Sequence, residues 1–307
     1  MKEKLLTILD VGCRYGVFDL FKKNISLLDL HMVDIDKDEI NRLKKKYKKF
    51  KNIKFYNYFL TKDSNEVDVN FSLHKGYISS KKINPNSIWF SLIRKNEKKI
   101  TNVLNIKATK SKDFFNKLKK NISVIKLDVE GSELDFLLGL ENKINEVKAF
   151  ILESHFDNPY INGSGFDSTH KHLLNNGFFL ASMKLNVNRI NIFHNKNDSL
   201  PLSANTVYLK KNFLRKASFD EIKICYLLNL SGIMFDIIKK DYKIILKNKK
   251  NIFFNPIKKY IGLLLKQKQN EPYFNYKKAN NIFFTIFKEK LPASSDFYSN
   301  DFFNSLN

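Results

Sequence analysis

Glycine and proline are scarce: ten Gly and six Pro in 307 residues. That excludes collagen-like and low-complexity chains and makes any cluster of glycines informative. Cysteine is nearly absent. Cys13 and Cys225 stand 212 positions apart, offering neither a metal-ligand spacing nor a disulfide framework, and fit a reducing cytoplasm. Long apolar runs are missing too. Leu5 to Leu9 is too short for a signal peptide. The longest C-terminal stretch, Ile224 to Ile238, carries Asn229 and Asp236 and falls short of the roughly 20 residues that cross a bilayer. Acidic residues are outnumbered, 31 Asp+Glu against 54 Lys+Arg, for a net charge of +23.

Apolar and aromatic residues are abundant: 43% hydrophobic, with 28 Phe and 13 Tyr. A chain of this size and content buries a real core and is long enough for one large α/β domain plus an appendage, or for two ordinary domains. The positive excess suits nucleic acid or anionic lipid as a partner. It is spread along the chain, however, with 15 basic and 8 acidic residues from Ser218 onward. It is mostly Lys amid Asn, Ile and Phe, the bias of AT-rich coding. The runs Lys44 to Lys46 and Lys48–Lys49 read as the solvated face of a helix, so nucleic-acid binding is the weaker reading.

Short apolar runs alternate with amphipathic segments. Leu6 to Val11 ends in Gly12 and leads to helical spacing over Gly16 to Lys23. The run Leu27 to Val33, the Lys-rich segment Lys37 to Phe50 and the extended run Ile53 to Phe59 follow. Residues 66–106 are irregular, with β-like pieces at Val67 to Phe71 and Gly76 to Ser80 and a polar loop holding Trp89, and read as an insertion. Regularity returns with a helix at Ser111 to Lys120, a strand at Ser123 to Leu127, a helix at Ser132 to Leu140 and a strand at Val147 to Leu152. A helix at Ser168 to Asn176, an apolar run at Phe178 to Met183 and a last edge strand at Thr206 to Leu209 complete a seven-stranded mixed sheet. Such βαβ alternation places a ligand crevice at the carboxyl ends of the strands. Past Ser218 the spacing turns helical, over Ile222 to Lys250, Phe253 to Lys268 and Asn281 to Lys288. The expected division is residues 1–217 as an α/β domain and 218–307 as a helical extension.

Three segments fall at strand ends. In Asp10-Val11-Gly12-Cys13-Arg14-Tyr15-Gly16 the glycines permit close approach of a nucleotide-like ligand. No dinucleotide fingerprint is present, and an acid before Gly12 suits a ligand carrying an ammonium group, such as S-adenosylmethionine. Asp34, 22 residues after Gly12, is placed to accept hydrogen bonds from ribose hydroxyls. Asp36 reads instead as a helix cap. In Lys126-Leu127-Asp128-Val129-Glu130-Gly131-Ser132-Glu133, carboxylates crowd a glycine where like charges repel, which points to a site. Glu133 alone is equally well a first-turn helix acid.

On the turn Asp10 to Gly16, on Asp34, and above all on Ile125 to Glu133 with Leu137 and Gly139, the sequence resembles the FkbM family of S-adenosylmethionine-dependent methyltransferases, over Leu6 to Leu209. The resemblance implies a Rossmann-like seven-stranded methyltransferase fold, and O-methylation of a hydroxyl, often on a sugar. Family members carry a segment before the first strand that helps cover the cofactor. Only about five residues precede it here, so closure of the pocket is expected from elsewhere, such as the C-terminal helices.

A fourth cluster, Leu152-Glu153-Ser154-His155, follows the next strand. O-methylation removes a proton from the attacking hydroxyl, and a histidine of near-neutral pKa suits that task. His155 is one candidate base. The other reading is a divalent cation held by Asp128, Glu130 and Glu153. His170 and His172 read as structural, Cys13 as packing, and Tyr58, Phe59 and Tyr77 as candidates to flank adenine or substrate. The expected cofactor set is Asp10, Gly12, Gly16 and Asp34, and the expected catalytic set Asp128, Glu130 and His155. Partners expected are a small-molecule or glycan hydroxyl substrate and a second copy through the C-terminal helices, in a cytoplasmic protein able to lie on a membrane surface.

Overall fold

The computed structural model describes residues 5–93, 99–188, 200–214 and 218–267. Of these, residues 5–214 belong to one compact unit and residues 218–267 to another.

Seven strands make the sheet of the first unit: β1 (Leu6–Val11), β2 (Leu28–Asp34), β3 (Ile53–Asn57), β4 (Val124–Leu127), β5 (Ala149–His155), β6 (Phe178–Asn188) and β7 (Leu200–Lys210). Their order is β6-β7-β5-β4-β1-β2-β3, with β1 to β5 parallel and β6 and β7 antiparallel. Every residue of β1, β2 and β4 is buried, so these strands are mostly apolar, and their few polar residues, such as Asp10, His31 and Lys126, are buried with the rest. This is the Rossmann-like seven-stranded methyltransferase sheet.

Helices cover both faces. α1 (Asp19–Lys22) follows the first turn. α2 (Lys37–Lys46) starts where Asp36 Oδ1 accepts the N–H groups of Asp38 and Glu39, buries Ile40 and Leu43, and leaves Lys44, Lys45 and Lys46 in solvent. α3 (Ser111–Leu118), α4 (Glu133–Leu140) and α5 (Phe166–Asn175) complete the layers. Phe114, Phe136, Leu137 and Leu140 pack against Leu9, Ile125, Leu127 and Phe150 in the main core. A smaller aromatic cluster joins Tyr77, Phe90 and Tyr160.

The structure corrects two expectations and adds a strand to a third. The strand ending the domain is not at an edge: β7 pairs with β5 on one side and β6 on the other, so Phe178–Asn188 is the edge. The strand expected to end at Leu152 runs on to His155, because antiparallel pairing with Leu200–Lys210 continues through Glu153↔Asn205, Ser154↔Ala204 and His155↔Ser203. The insertion holds its own three-stranded sheet, Ile78–Ser79 beside Glu66–Ser72 beside Ile100–Lys107. The last of these strands is mostly exposed, so its sequence lacks the apolar alternation that flags a half-buried strand. Trp89 sits in a short π-helix, Trp89–Ile93.

The second unit contains α6 (Phe219–Leu227), α7 (Ser231–Lys240), α8 (Lys243–Lys247) and α9 (Phe254–Gln267). The single helical pattern over 222–250 breaks into three because Asn229, at φ 55, and Asp241 interrupt it. α6 opens on a capping box between Ser218 and Glu221. The expected helix at 281–288 lies outside the described residues. Among the described residues no helix is long and apolar enough to cross a membrane.

Candidate active site

Parallel register aligns the strand ends. Val11 pairs with both Val33 and Leu127, and Leu127 with Leu152, so the acids that follow or end these strands share one sheet edge. The strand order reverses between β1 and β4, where open α/β sheets bind ligands.

Gly12 has φ +79, and a Cβ there would lie 1.8 Å from the Asp128 carbonyl oxygen. Only glycine lets the first turn pass this close to the β4 end. The N–H groups of Gly12 and Cys13 donate to Val33 O at 2.9 and 3.2 Å, tying the turn to β2. From below, Lys126 Nζ donates to Gly12 O at 3.0 Å and to Asp128 Oδ2 at 3.1 Å, and stands 3.4 Å from Asp10 Oδ1. Burial pushes Asp10 up to about 6 against the pull of Lys126. Burial also opposes the charge of Lys126, but Asp10 and Asp128 outweigh it and hold its pKa above the ordinary value. Gly16, at φ +96, closes the turn next to the Tyr47 hydroxyl, which accepts the Val17 N–H.

Asp34 ends β2. Its Oδ1 accepts the Asp36 N–H at 2.9 Å, and burial raises its pKa to about 6. Arg14 reaches over from the first turn to an ion pair with Asp36 at 2.7 Å, so Asp36 both caps α2 and anchors Arg14.

The segment after β4 is held in a strained shape. Glu130 has φ +52 and Gly131 φ +88, and a Cβ on Gly131 would meet the Tyr160 ring at 2.8 Å. A non-glycine residue in the left-handed region costs free energy and recurs at functional sites. Here it turns the Glu130 carboxylate onto the Tyr160 hydroxyl, which donates to Oε2 at 2.5 Å. Ser79 Oγ donates to Glu130 O at 2.5 Å, and Ser164 N–H and Oγ donate to Gly131 O. Burial, with the Asp128 charge next, pushes Glu130 well above the carboxylate range. Glu133 Oε1 accepts the Val129 N–H at 3.1 Å, and burial raises this acid to about 7.

Asp128 differs. Burial works against its ionisation, but Lys126 and a hydrogen bond shared with Glu153 hold its pKa below the usual value. Glu153 is driven well up by burial and by the Asp128 and Glu130 charges. His155, two residues further along β5, is 4% exposed, with its ring edge-on to Trp89 at 6.2 Å between centroids. Burial lowers its pKa to about 4, away from the near-neutral value expected from sequence.

Gly12, Asp34, Asp128 and Glu130 line one cleft, together with Arg14 and Tyr15. The cleft and its adjoining solvent space measure about 610 Å³. Tyr58 and Phe59 line it as well, whereas Tyr77 packs in the small aromatic cluster. Asp10, Gly16 and His155 do not line it. Cys13 is buried packing. His170 hydrogen-bonds the Tyr208 hydroxyl at 3.0 Å and His172 meets Asn176, both structural. Part of the cleft wall, Gly76 and Ile78, comes from the insertion.

Sequence reasoning assigned no role to Lys126, Arg14, Tyr15 or Tyr160. Lys126 carried a signal, a lysine inside an otherwise apolar buried strand. Tyr160 carried none, since its partner lies 30 positions away.

A model of the methyltransferase FkbM domain matches residues 17–180. The chain belongs to this family. No curated protein matches the sequence. Among solved structures, an rRNA methylase from Streptococcus thermophilus aligns at 7% identity, covering 68% of this chain and 88% of that one, with TM-score 0.37. Magnesium protoporphyrin IX methyltransferase from Synechocystis PCC 6803, with bound SAM, aligns at 12% identity over 67% and 70%, TM-score 0.36. M. capricolum TrmK with S-adenosyl-homocysteine aligns at 15% identity over 86% and 92%, TM-score 0.34. Superpositions this loose carry no argument about this FkbM-family chain.

The cofactor that the FkbM family implies, S-adenosylmethionine, fits the residues present. Asp34 Oδ1 is taken by a backbone N–H while the acid lines the cleft, leaving Oδ2 for ribose. Val33, Ile35, Tyr58 and Phe59 offer an apolar wall beside it, suited to a flat base.

Proposed function

We propose that the domain transfers a methyl group from S-adenosylmethionine to a hydroxyl oxygen of a saccharide or glycan precursor. The observation that carries this reading is that Asp34 and Asp128 line the same cleft, one acid suited to ribose and the other held ionised beside Lys126. The acceptor class follows the family resemblance.

When bound, the cofactor supplies a methyl group on a positively charged sulfur. Asp34 accepts the ribose hydroxyls, and the glycine turn admits the ligand against the backbone. Asp128 would accept a hydrogen bond from the acceptor hydroxyl, whose proton would pass to solvent as the hydroxyl oxygen takes the methyl group from sulfur, leaving a methyl ether and the demethylated cofactor. Asp128 suits the part of hydrogen-bond acceptor because it is held ionised and lines the cleft. Glu130, locked by Tyr160, orients the acceptor. His155, neutral at physiological pH, stays a buried polar neighbour of the acids. Much of the rate enhancement comes from positioning.

Calorimetric titration with S-adenosylmethionine tests the donor half: heat of binding in the wild type, lost in Asp34→Ala. Labelled-methyl transfer to oligosaccharide fractions, with RNA as comparison, tests the acceptor half. Absence of binding heat, or label entering RNA alone, ends the reading.

A further inference from the structure

Asp128, Glu130 and Glu153 each bring a carboxylate oxygen within 4.8 Å of the other two. One oxygen of each is already held by a protein donor: Asp128 Oδ2 by Lys126 at 3.1 Å, Glu130 Oε2 by Tyr160 at 2.5 Å and Glu153 Oε1 by Asn186 at 3.4 Å. Outer donors arranged in this way fix the orientation of metal-ligating carboxylates. Asp128 and Glu153 also share a hydrogen bond with each other, which a bound ion would replace.

A separate observation points to a missing group. His155 follows Glu153 by two residues on the same face of β5, is buried, and its Nε2 has no hydrogen-bond partner. Asp128 is the charge that acts on it most strongly. Glu133 Oε2 is likewise buried without a partner, on a side chain whose charge bears on Glu130 and Glu153. Two buried, unsatisfied polar atoms bordering one acidic cluster need an explanation. Charge agrees: among the described residues, Asp10 and Asp128 share one cation, Lys126, and Glu130, Glu133 and Glu153 form no ion pair.

We propose that Asp128, Glu130 and Glu153 bind one divalent cation of the oxygen-preferring kind, Mg²⁺ or Mn²⁺, where Asp128 and Glu130 line the cleft. Such ions take one to three carboxylates and fill their remaining positions with water or substrate oxygen. Bound there, the ion would offset the mutual repulsion of three carboxylates brought within 4.8 Å of one another. It would also stabilise an acceptor oxygen as it loses its proton. That second role rests on the hydroxyl-acceptor reading; the binding does not.

The test is electron paramagnetic resonance of Mn²⁺ titrated into the EDTA-treated full chain, without cofactor or acceptor. The expected result is one bound ion per chain, weakened roughly tenfold or more in Glu153→Gln and in Asp128→Asn. Glu141→Gln, at an exposed acid paired with Lys110 and Lys112, leaves it unchanged. No bound ion in the wild type at about 1 mM, or binding indifferent to both substitutions, overturns the proposal. Urea midpoints separate lost binding from lost fold. If both variants unfold, Glu153→Asp, which keeps the charge and shortens its reach, must weaken Mn²⁺ by the same criterion or the proposal fails. A silent Mn²⁺ titration with normal cofactor heat sinks only the cation. Bound Mn²⁺ with no cofactor heat sinks the methyl-transfer reading instead.

Discussion

Lys126 donates a hydrogen bond of 3.0 Å to the carbonyl oxygen of Gly12, joining the fourth strand to the turn after the first. Its ammonium also faces Asp10 and Asp128. One buried cation thus supports both halves of the site.

Replacing it with an apolar residue of similar length leaves two acids without their partner. Lys126→Met is expected to cost roughly 3–5 kcal/mol, read as a lowered urea midpoint at unchanged slope. A change under about 1 kcal/mol would mean that the pair behaves like a surface one.

If Asp34 holds the ribose as proposed, cofactor binding depends on pH. Burial raises its folded pKa to about 6, so below that value it carries a proton and is the poorer acceptor for ribose. Affinity for S-adenosylmethionine should fall about tenfold per pH unit below 6, and Asp34→Asn should flatten the profile while weakening binding throughout. Stability runs the other way. The contribution of this group to the cofactor-free protein is fully present below its unfolded pKa near 4 and is lost as pH rises through about 6. Calorimetry and urea unfolding across pH 4 to 8 check both signs.

Gly131 and Gly177 separate backbone strain from steric conflict. Both have positive φ, +88 and +78, but a Cβ on Gly131 would strike Tyr160, whereas one on Gly177 would meet nothing within 4 Å. Gly177→Ala should cost about 1 kcal/mol from the backbone alone. Gly131→Ala should cost roughly 2–4 kcal/mol and release Glu130 from Tyr160. Equal costs in thermal unfolding would show the Tyr160 ring yielding freely.

Asp36 does two jobs, capping α2 and holding Arg14. Asp36→Ser keeps a cap and loses the ion pair, while Asp36→Ala loses both. The alanine variant should be about 1 kcal/mol less stable than the serine variant. Thermal unfolding of the pair measures the cap alone.

The sheet and the acids at its edge were legible because buried parallel strands are short apolar runs and any charge at their ends stands out. Leu6 to Val11 ahead of Gly12 is such a case, and so is Val124 to Leu127 ahead of Asp128. Less legible was anything fixed by partners distant in sequence. β7 takes an interior place only through its pairing with β5 and β6. That pairing also draws Glu153 and His155 into a strand, where burial sets the pKa of His155. The lock of Tyr160 on Glu130 and the cleft wall from Gly76 and Ile78 arise from loops whose spacing announces nothing.

Because the strand at 200–210 lies between two others that precede it in the chain, the sheet cannot close in the order in which it is synthesised. Until Lys210 has left the ribosome, β5 and β6 present bare hydrogen-bonding edges to each other and to any passing chain. Folding of this domain therefore waits on its final segment, and the nascent protein is most exposed to chaperones and to misassembly just before translation of that stretch is finished.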